Sequence, residues 1–270
     1  MKAHAAKYWR HGVVGVVAGL TSGLFGVGGG IVIVPLLVGL VGFGQRLAHG
    51  TSLTAILPIS TASALGYATQ GEVEWVIAAL ISVGAMLGAI VGSHLLQRLP
   101  VRALRLGFAL ILIVTAVRMV ASSGDGGGIG DLGLAGALGY LVLGLASGVL
   151  AGTLGVGGGA VLVPALTFFA GFPLLAAKGT SLLVIIPTSL IGTWRNVVAK
   201  NTDVMAGLVV GVTGIVFGLI GVQISMELSA KWGSVLFAML LVVAAAKLVF
   251  QAEEDEPTVT VIPDPSAETA

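Results

Sequence analysis

Apolar segments separated by short polar stretches follow one another along the chain as far as residue 250. The first runs from Arg10 to Arg46 without an intervening lysine, arginine or acidic residue. One helix needs about 20 residues to cross a bilayer core, so this run is too long for a single upright span. Its middle reads Gly-Val-Gly-Gly-Gly over 26–30, which is a poor helix interior. The pattern therefore predicts two helical pieces, over 12–25 and 31–43, that form either a re-entrant hairpin or two short crossings.

The rest of the chain also consists of apolar segments separated by short polar stretches. Single transmembrane helices are predicted at 50–69, 74–97 and 101–121. A second broken run covers 132–172, and three further spans follow at 180–198, 203–226 and 231–250. The predicted division is an N-terminal segment 1–11, membrane repeats 12–121 and 132–250, a linker 122–131 and a tail 251–270. The tail is acidic and holds three prolines, so it is predicted to be disordered.

Composition agrees with a polytopic membrane protein. Only 9% of the residues are charged, whereas a soluble domain needs about a quarter to solvate its surface. The formal net charge of +1 offers no argument for a nucleic-acid partner, and the absence of cysteine excludes thiolate metal sites and cysteine nucleophiles. The fold class predicted is all-α, with most of the surface facing lipid.

Lysine and arginine predict the orientation. If each broken run returns to the side where it began, ten basic residues lie on one side and three on the other. The richer side carries the N-terminus, Arg46, the 98–105 loop, Arg195, Lys200 and Lys247; Arg118, Lys178 and Lys231 lie opposite. The richer side is predicted to be cytoplasmic, with both termini inside, the linker 122–131 external, and the protein in the cell membrane.

The second half repeats the first at an offset of 129 residues without gaps. The glycine segment 26–30 returns at 155–159, and Gly-Thr-Ser-Leu at 50–53 returns at 179–182. Because Arg46 and Lys178 fall on opposite sides, the two repeats are predicted to be inverted, each with one glycine-broken element and three transmembrane helices. Inverted repeats with paired broken helices indicate a secondary transporter whose site lies near the midplane.

Both glycine segments are candidates for binding an anion. Glycine permits positive φ, which turns successive N–H groups toward one point, and a half-helix beginning at Ile31 or Ala160 adds its positive dipole end. The candidate residues are Gly28, Gly29, Gly30, Gly157, Gly158 and Gly159. The alternative is that these glycines only permit a tight bend and close packing. A dinucleotide site is excluded because the flanks are membrane spans and no acidic residue follows about 20 positions on.

Hydroxyl groups beside the breaks are a second set of candidates. Thr51, Ser52, Thr180 and Ser181 can donate to an anion, or they can bond within the membrane helices as most such side chains do. Arg195 can offset substrate charge within its span, or it can extend to the cytoplasmic interface. The sequence shows no cluster of catalytic acids, histidines or metal ligands and no GxxxxGK[ST] motif, so neither an enzyme nor an ATP-driven pump is predicted, and no cofactor.

Two copies of Gly-Val-Gly-Gly-Gly followed by an apolar segment with proline and then Gly-Thr-Ser resemble the sulfite exporter TauE/SafE family. The resemblance covers both repeats. It implies a multi-span permease that moves sulfite, sulfonates or related organosulfur anions by ion-coupled secondary transport, with a proton or sodium ion as the coupling partner. It leaves open the substrate, the direction of transport and the oligomeric state.

Overall fold

The computed structural model describes residues 2–95, 101–121, 133–154 and 158–254. Every regular element within these ranges is a helix, as predicted. The elements in chain order are α1 Lys2–Phe25, α2 Gly30–Leu36 with a π-helical continuation Leu37–Val41, α3 Gln45–Ala68, α4 Trp75–Leu95, α5 Val101–Ala121, α6 Leu134–Leu154, α7 Gly159–Phe169, α8 Leu174–Val198, α9 Val204–Glu227 and α10 Ala230–Glu254.

Four helix ends differ from the predicted ones by four residues or more. In the middle of the chain, α3 begins at Gln45 rather than at 50 and α8 at Leu174 rather than at 180. The first helix begins at Lys2, within the predicted N-terminal segment 1–11, and the last continues to Glu254, past the predicted start of the tail at Gln251. Gln, Ala and Glu are good helix formers, so the helix need not stop where the apolar run stops. The linker 122–131 and the tail from 255 onward lie outside the described residues.

Three helices within the described ranges are both long and apolar enough to cross a bilayer, namely Leu174–Val198, Val204–Glu227 and Ala230–Phe250. Shorter apolar helical stretches are Gly30–Val41, Trp75–Ile90, Ala109–Met119, Leu134–Val149 and Gly159–Phe168. Helix α3 is long enough, but its serines and threonines lower its hydropathy. All four tryptophans are more than half exposed and lie near helix ends, where membrane proteins place an aromatic belt: Trp9, Trp75, Trp194 and Trp232.

Glycines let two pairs of helices pack in parallel. A Cβ added to Gly19 would strike the α9 backbone at Gly214, and one added to Gly23 would strike it at Gly218. The residue numbers of the contacting pairs increase in the same direction in both helices, so α1 and α9 are parallel. In the same way, Gly84 and Gly88 of α4 contact the α6 backbone at Leu141 and Leu145. Small residues of this kind permit close helix approach in membranes.

Helices α3 and α8 cross antiparallel at the centre. A Cβ on Gly192 would lie 2.9 Å from Cδ1 of Leu53, and one on Gly179 would lie 2.9 Å from Cβ of Tyr67. Thus α3 and α8 run in opposite directions. We call the end of the bundle where α1 begins the N-terminal end, and the other the distal end. The loop between α3 and α4 and the start of α8 lie at the distal end, whereas the loop between α8 and α9 lies at the N-terminal end.

The first glycine-broken run is a helical hairpin. Arg10 near the start of α1 donates from Nη1 to the carbonyl oxygen of Leu40, near the end of the π-helical turn, over 3.0 Å. The returning limb, Gly30–Val41, spans about 18 Å at 1.5 Å per residue, well short of the roughly 30 Å of a bilayer core. Its length fits the re-entrant alternative. The corresponding limb α7 has 11 residues, and it packs against α6 and α8.

Candidate substrate site at the glycine tips

Positive φ angles mark both glycine segments, as predicted. Gly28 and Gly29 have φ of 74° and 76°, and Gly158 has φ of 73°. An L-residue is disfavoured there because its Cβ crowds the following carbonyl oxygen. Gly29 and Gly158 are the N-caps of α2 and α7, so each half-helix begins one residue earlier than predicted, at Gly30 and Gly159. Gly157 lies outside the described residues.

The two glycine tips, residues 26–30 and 158–159, meet in the middle of the bundle. A Cβ on Gly159 would lie 2.8 Å from Cα of Val27 and 2.7 Å from Cδ1 of Ile185. A Cβ on Gly28 would lie 3.1 Å from Oγ of Ser60 and 3.2 Å from Ile185. Ser60 and Ile185 sit well inside α3 and α8. Both broken elements therefore end at the crossing of the two central helices.

Unpaired backbone donors lie at the first tip. In the described part of the chain, the N–H groups of Gly28, Gly29 and Gly30 donate to no protein acceptor, and all three residues are buried. No side chain caps α2 or α7. Buried N–H groups are nearly always paired in proteins, so such a group points to a ligand or water. Converging N–H groups at a helix start suit a small oxyanion.

A serine hydroxyl lies beside these donors. Ser60 Oγ is fully buried, and it has no hydrogen-bond partner among the described residues. Its repeat equivalent, Ser189, donates to the carbonyl oxygen of Ile186 over 3.0 Å. Ser60 is not among the predicted site residues. The signal that could have identified it is its position further along α3, on the same helix as the Gly-Thr-Ser motif. Among the four motif hydroxyls, Ser181 Oγ is likewise buried and unpartnered in the described structure.

The motif threonines contact loops of the opposite repeat. Thr51 Oγ1 accepts from the N–H of Asp203 over 3.0 Å, and Thr180 Oγ1 accepts from the N–H of Glu74 over 3.1 Å. The preceding glycines permit the approach, because a Cβ at Gly50 or Gly179 would collide with a loop carbonyl, that of Asn201 or Glu72. Partial burial in this docked loop raises the pKa of the Glu72 carboxyl. The threonines thus hold loops rather than meet at the tips.

The two remaining predicted residues occupy different positions. Ser52 donates to the carbonyl oxygen of His49 over 2.8 Å, which is a bond within its own helix. Arg195 is exposed in the last turn of α8, ten residues or about 15 Å along the helix from Ile185. The structure therefore does not bring Arg195 to the glycine tips, and its placement matches the interfacial alternative.

A buried cation adjoins the first tip. Lys178 is 2% exposed, and its Nζ donates to Ser225 Oγ over 2.9 Å. A Cβ on Gly26 would lie 2.6 Å from Cα and Cβ of Lys178, so the stem of the lysine packs against the tip. In the sequence, Lys178 stands just before the second Gly-Thr-Ser motif, at the position equivalent to His49 of the first repeat, and nothing there indicated its burial.

A family model described as "Sulfite exporter TauE/SafE" matches residues 1–119 and 140–268. The chain belongs to the TauE/SafE family. Both matched stretches of this TauE/SafE protein contain one glycine tip and the helices that follow it. Family membership confirms the resemblance inferred from the repeated motifs.

Curated relatives are named as membrane transporters. A probable membrane transporter protein of Bacillus subtilis is 24% identical over 264 residues, covering 88% of this chain and 96% of the relative. One from Xylella fastidiosa is 30% identical over 223 residues, covering 80% and 84%. One from Methanocaldococcus jannaschii is 26% identical over 253 residues, covering 85% and 90%. This TauE/SafE protein therefore belongs to a family of probable membrane transporters.

Proposed function

We propose that the protein is a secondary transporter, a permease or exporter, of small sulfur-containing anions such as sulfite or organosulfonates. The observation that carries the proposal is the set of buried N–H groups of Gly28, Gly29 and Gly30, which have no acceptor among the described residues, at a tip in the middle of the bundle. Partial positive charges held there bind an oxyanion without the penalty of burying a full charge. The description of the family supports the sulfur class.

Transport proceeds by alternating access around this site. The antiparallel crossing of α3 and α8, which are repeat equivalents, supports an inverted arrangement of the two halves. Each hairpin then closes the path from its own side, and rocking of one half against the other exposes the tips alternately. A proton or sodium gradient drives the movement. The relatives' names as transporters support a protein that is not an enzyme.

The binding residues fall into two groups. The glycines of both tips donate backbone N–H groups to the anion, and Ser60 and Ser181 add hydroxyl donors. The predicted binding role of Gly157, which lies outside the described residues, remains part of the proposal. Thr51 and Thr180 act on the site through the loops that they hold, and Ser52 supports the same helix. Arg195 attracts the anion at the cytoplasmic mouth rather than binding it at the tips.

A transporter of another small anion is the second candidate. Backbone N–H groups recognise negative charge and size, and they do not distinguish sulfur from nitrogen or phosphorus at the centre of an oxyanion. The same geometry therefore accommodates nitrate or phosphate. Only transport measurements separate the two candidates.

Transport into vesicles tests the proposal. Purified protein is reconstituted, and uptake of labelled sulfite and short sulfonates is measured under an imposed proton or sodium gradient, with protein-free vesicles as the control. We expect saturable uptake that depends on one gradient. Uptake of labelled nitrate and phosphate is measured in parallel. Uptake of nitrate or phosphate with no uptake of any sulfur anion would replace the first candidate with the second.

A further inference from the structure

We propose that Lys178 is a binding residue for the transported anion on the distal approach to the glycine tips. The inference rests on the proposed function, because it assigns a counter-charge to the same substrate. It concerns a full positive charge, whereas the tips supply only backbone dipoles. An anion that enters from the distal end meets Lys178 before it reaches the glycine tips.

The first observation is a buried lysine that has no carboxylate partner among the described residues. Lys178 is 2% exposed, and within the described part of the chain its one hydrogen bond goes to Ser225 and no carboxylate pairs with it. Removing an ion from water has an effective penalty of several kcal/mol unless a partner offsets it. An ammonium has three donors, so two remain for an anion. Ionisable residues at membrane depth are functional candidates for this reason.

The second observation is the position of Lys178 along helix α8. Gly26 packs against the stem of Lys178, and Gly28 of the same tip packs against Ile185, two turns further along α8. Lys178 therefore lies about 10 Å along the helix axis from the meeting point of the two tips, on the distal side. It is thus placed between the distal end and the tip N–H groups that have no partner among the described residues.

The third observation is a group of polar side chains at the end of α1, next to the tip against which the stem of Lys178 packs. Tyr67 is fully buried, and its hydroxyl donates to the carbonyl oxygen of Gly23 over 2.8 Å, which fixes the end of α1 beside the tip. Ser22, one residue earlier, is fully buried, and its Oγ has no partner in the described structure. Ser22 follows Ala18 by one turn, and the Ala18 carbonyl oxygen faces Gly29. A spare hydroxyl donor thus lies on the face of α1 that borders the hairpin interior.

The arrangement is asymmetric between the repeats. The position equivalent to Lys178 in the first repeat is His49, so a lysine side chain lies on one approach only. The distal approach therefore offers the anion a buried charge, whereas the N-terminal end offers Arg195, which is exposed.

Charge-removing and charge-retaining variants of the full chain test the inference. Lys178→Gln keeps a hydrogen-bonding group for Ser225 and removes the charge, whereas Lys178→Arg keeps the charge. The KM for sulfite is measured in vesicles, and the anion-induced rise in melting temperature is measured in detergent. We expect Lys178→Gln to raise the KM about tenfold or more and to lose most of the thermal shift, since hydrogen bonds to charged groups are the strong ones. Lys178→Arg should stay within a few-fold of the wild type.

Lys231→Met is the matched control, because Lys231 is an exposed basic residue at the same distal end. Its KM should not change, which excludes a general surface-charge effect. An unchanged KM in Lys178→Gln would overturn the inference while leaving the proposed function intact. Failure of Lys178→Gln to accumulate in the membrane, with normal accumulation of Lys178→Arg, would also overturn it, because the charge would then serve assembly.

Thermal shifts with sulfate, nitrate and phosphate separate the two levels of the proposal. If the wild type transports no sulfur anion but one of these ions stabilises it through Lys178, the substrate class fails and the assignment of Lys178 holds. If no tested anion stabilises the wild type, the assignment of Lys178 is wrong. If sulfite stabilises wild type and Lys178→Gln equally, the anion binds elsewhere.

Discussion

At the scale of single residues, two separate demands require glycine at the tips. The backbone angle excludes most side chains at Gly28, Gly29 and Gly158, since an L-residue with positive φ is less stable by about 1–2 kcal/mol. Space is the second demand, and it is severe at Gly159, where a Cβ would meet the backbone of Val27. The structure is therefore compatible with glycines that only permit the bend and with glycines that also bind the anion. Substitutions at the tips separate the two interpretations.

Alanine substitutions at the tips should stop transport. Gly28→Ala introduces strain at positive φ and a methyl group 3.1 Å from Ser60 Oγ, beside the proposed anion. Gly159→Ala forces the two tips apart. We expect both proteins to reach the membrane in near-normal amounts and to transport little or nothing. Uptake and membrane abundance are measured together.

Gly39→Ala is the control for these variants, because Gly39 is exposed in the returning limb and an added Cβ meets no atom within 4 Å. It should transport normally. If Gly28→Ala fails to accumulate, the glycine serves the bend and the packing. If Gly28→Ala accumulates and transports with unchanged affinity, the N–H groups of the tip do not bind the anion.

At the scale of elements, the Gly-Thr-Ser motifs connect the two repeats. The loop before α9 is held by Thr51 of the first repeat, and the loop before α4 is held by Thr180 of the second. Thr51 and its partner Asp203 are 152 residues apart in the chain, and Thr180 and its partner Glu74 are 106 apart. The two hydrogen bonds are equivalent and lie at opposite ends of the bundle. Each central helix thus fixes the start of a helix in the other half.

Valine at the motif threonines should destabilise the protein. Thr51→Val and Thr180→Val each leave a loop N–H without its acceptor, and an unsatisfied buried donor destabilises by about 1–3 kcal/mol. We expect the melting temperature of the protein in detergent to fall in both variants. Thr61→Val, which loses only a bond to Leu57 in its own helix, is the control and should change little.

The binding measurement decides between the roles of the threonines. If the melting temperature falls and the KM rises modestly, the threonines act through the loops. A large rise in KM with an unchanged melting temperature would instead make them direct ligands of the anion, as the sequence alone suggested.

At the scale of the whole molecule, the two ends of the bundle differ in charge. The sequence predicts ten of the thirteen lysine and arginine residues on the side of the N-terminus and three, Arg118, Lys178 and Lys231, on the other side. From the positive-inside rule we therefore predict that both termini face the cytoplasm and that the bilayer is the cell membrane.

Two single cysteines at repeat-equivalent positions test this orientation. The chain has no cysteine, so there is no background. Gln70 lies in the exposed loop at the distal end, and Ala199 lies in the exposed loop at the N-terminal end. In intact cells an impermeant thiol reagent should label Gln70→Cys and spare Ala199→Cys until the membrane is opened. The reverse pattern would invert the topology, and equal labelling would contradict a spanning arrangement.

Local and periodic features are what the sequence determined by itself. The helices, the glycine breaks with positive φ at Gly28 and Gly158, the repeat and the family all follow from side-chain properties and spacing within a few turns. These features are local because a helix forms its own hydrogen bonds, and in a bilayer every apolar run must do so. The helix starts at Gly30 and Gly159 were accordingly predicted to within one residue.

Tertiary structure alone decided which polar groups meet. The pairing of Thr51 with Asp203, the approach of Gly28 to Ser60 and the burial of Lys178 beside Ser225 each depend on how helices distant in the chain cross. Arg195 shows the same limit, since its span was predicted and its distance from the tips was not. A hydroxyl or ammonium group has no preferred partner until packing removes water and brings one within about 3 Å.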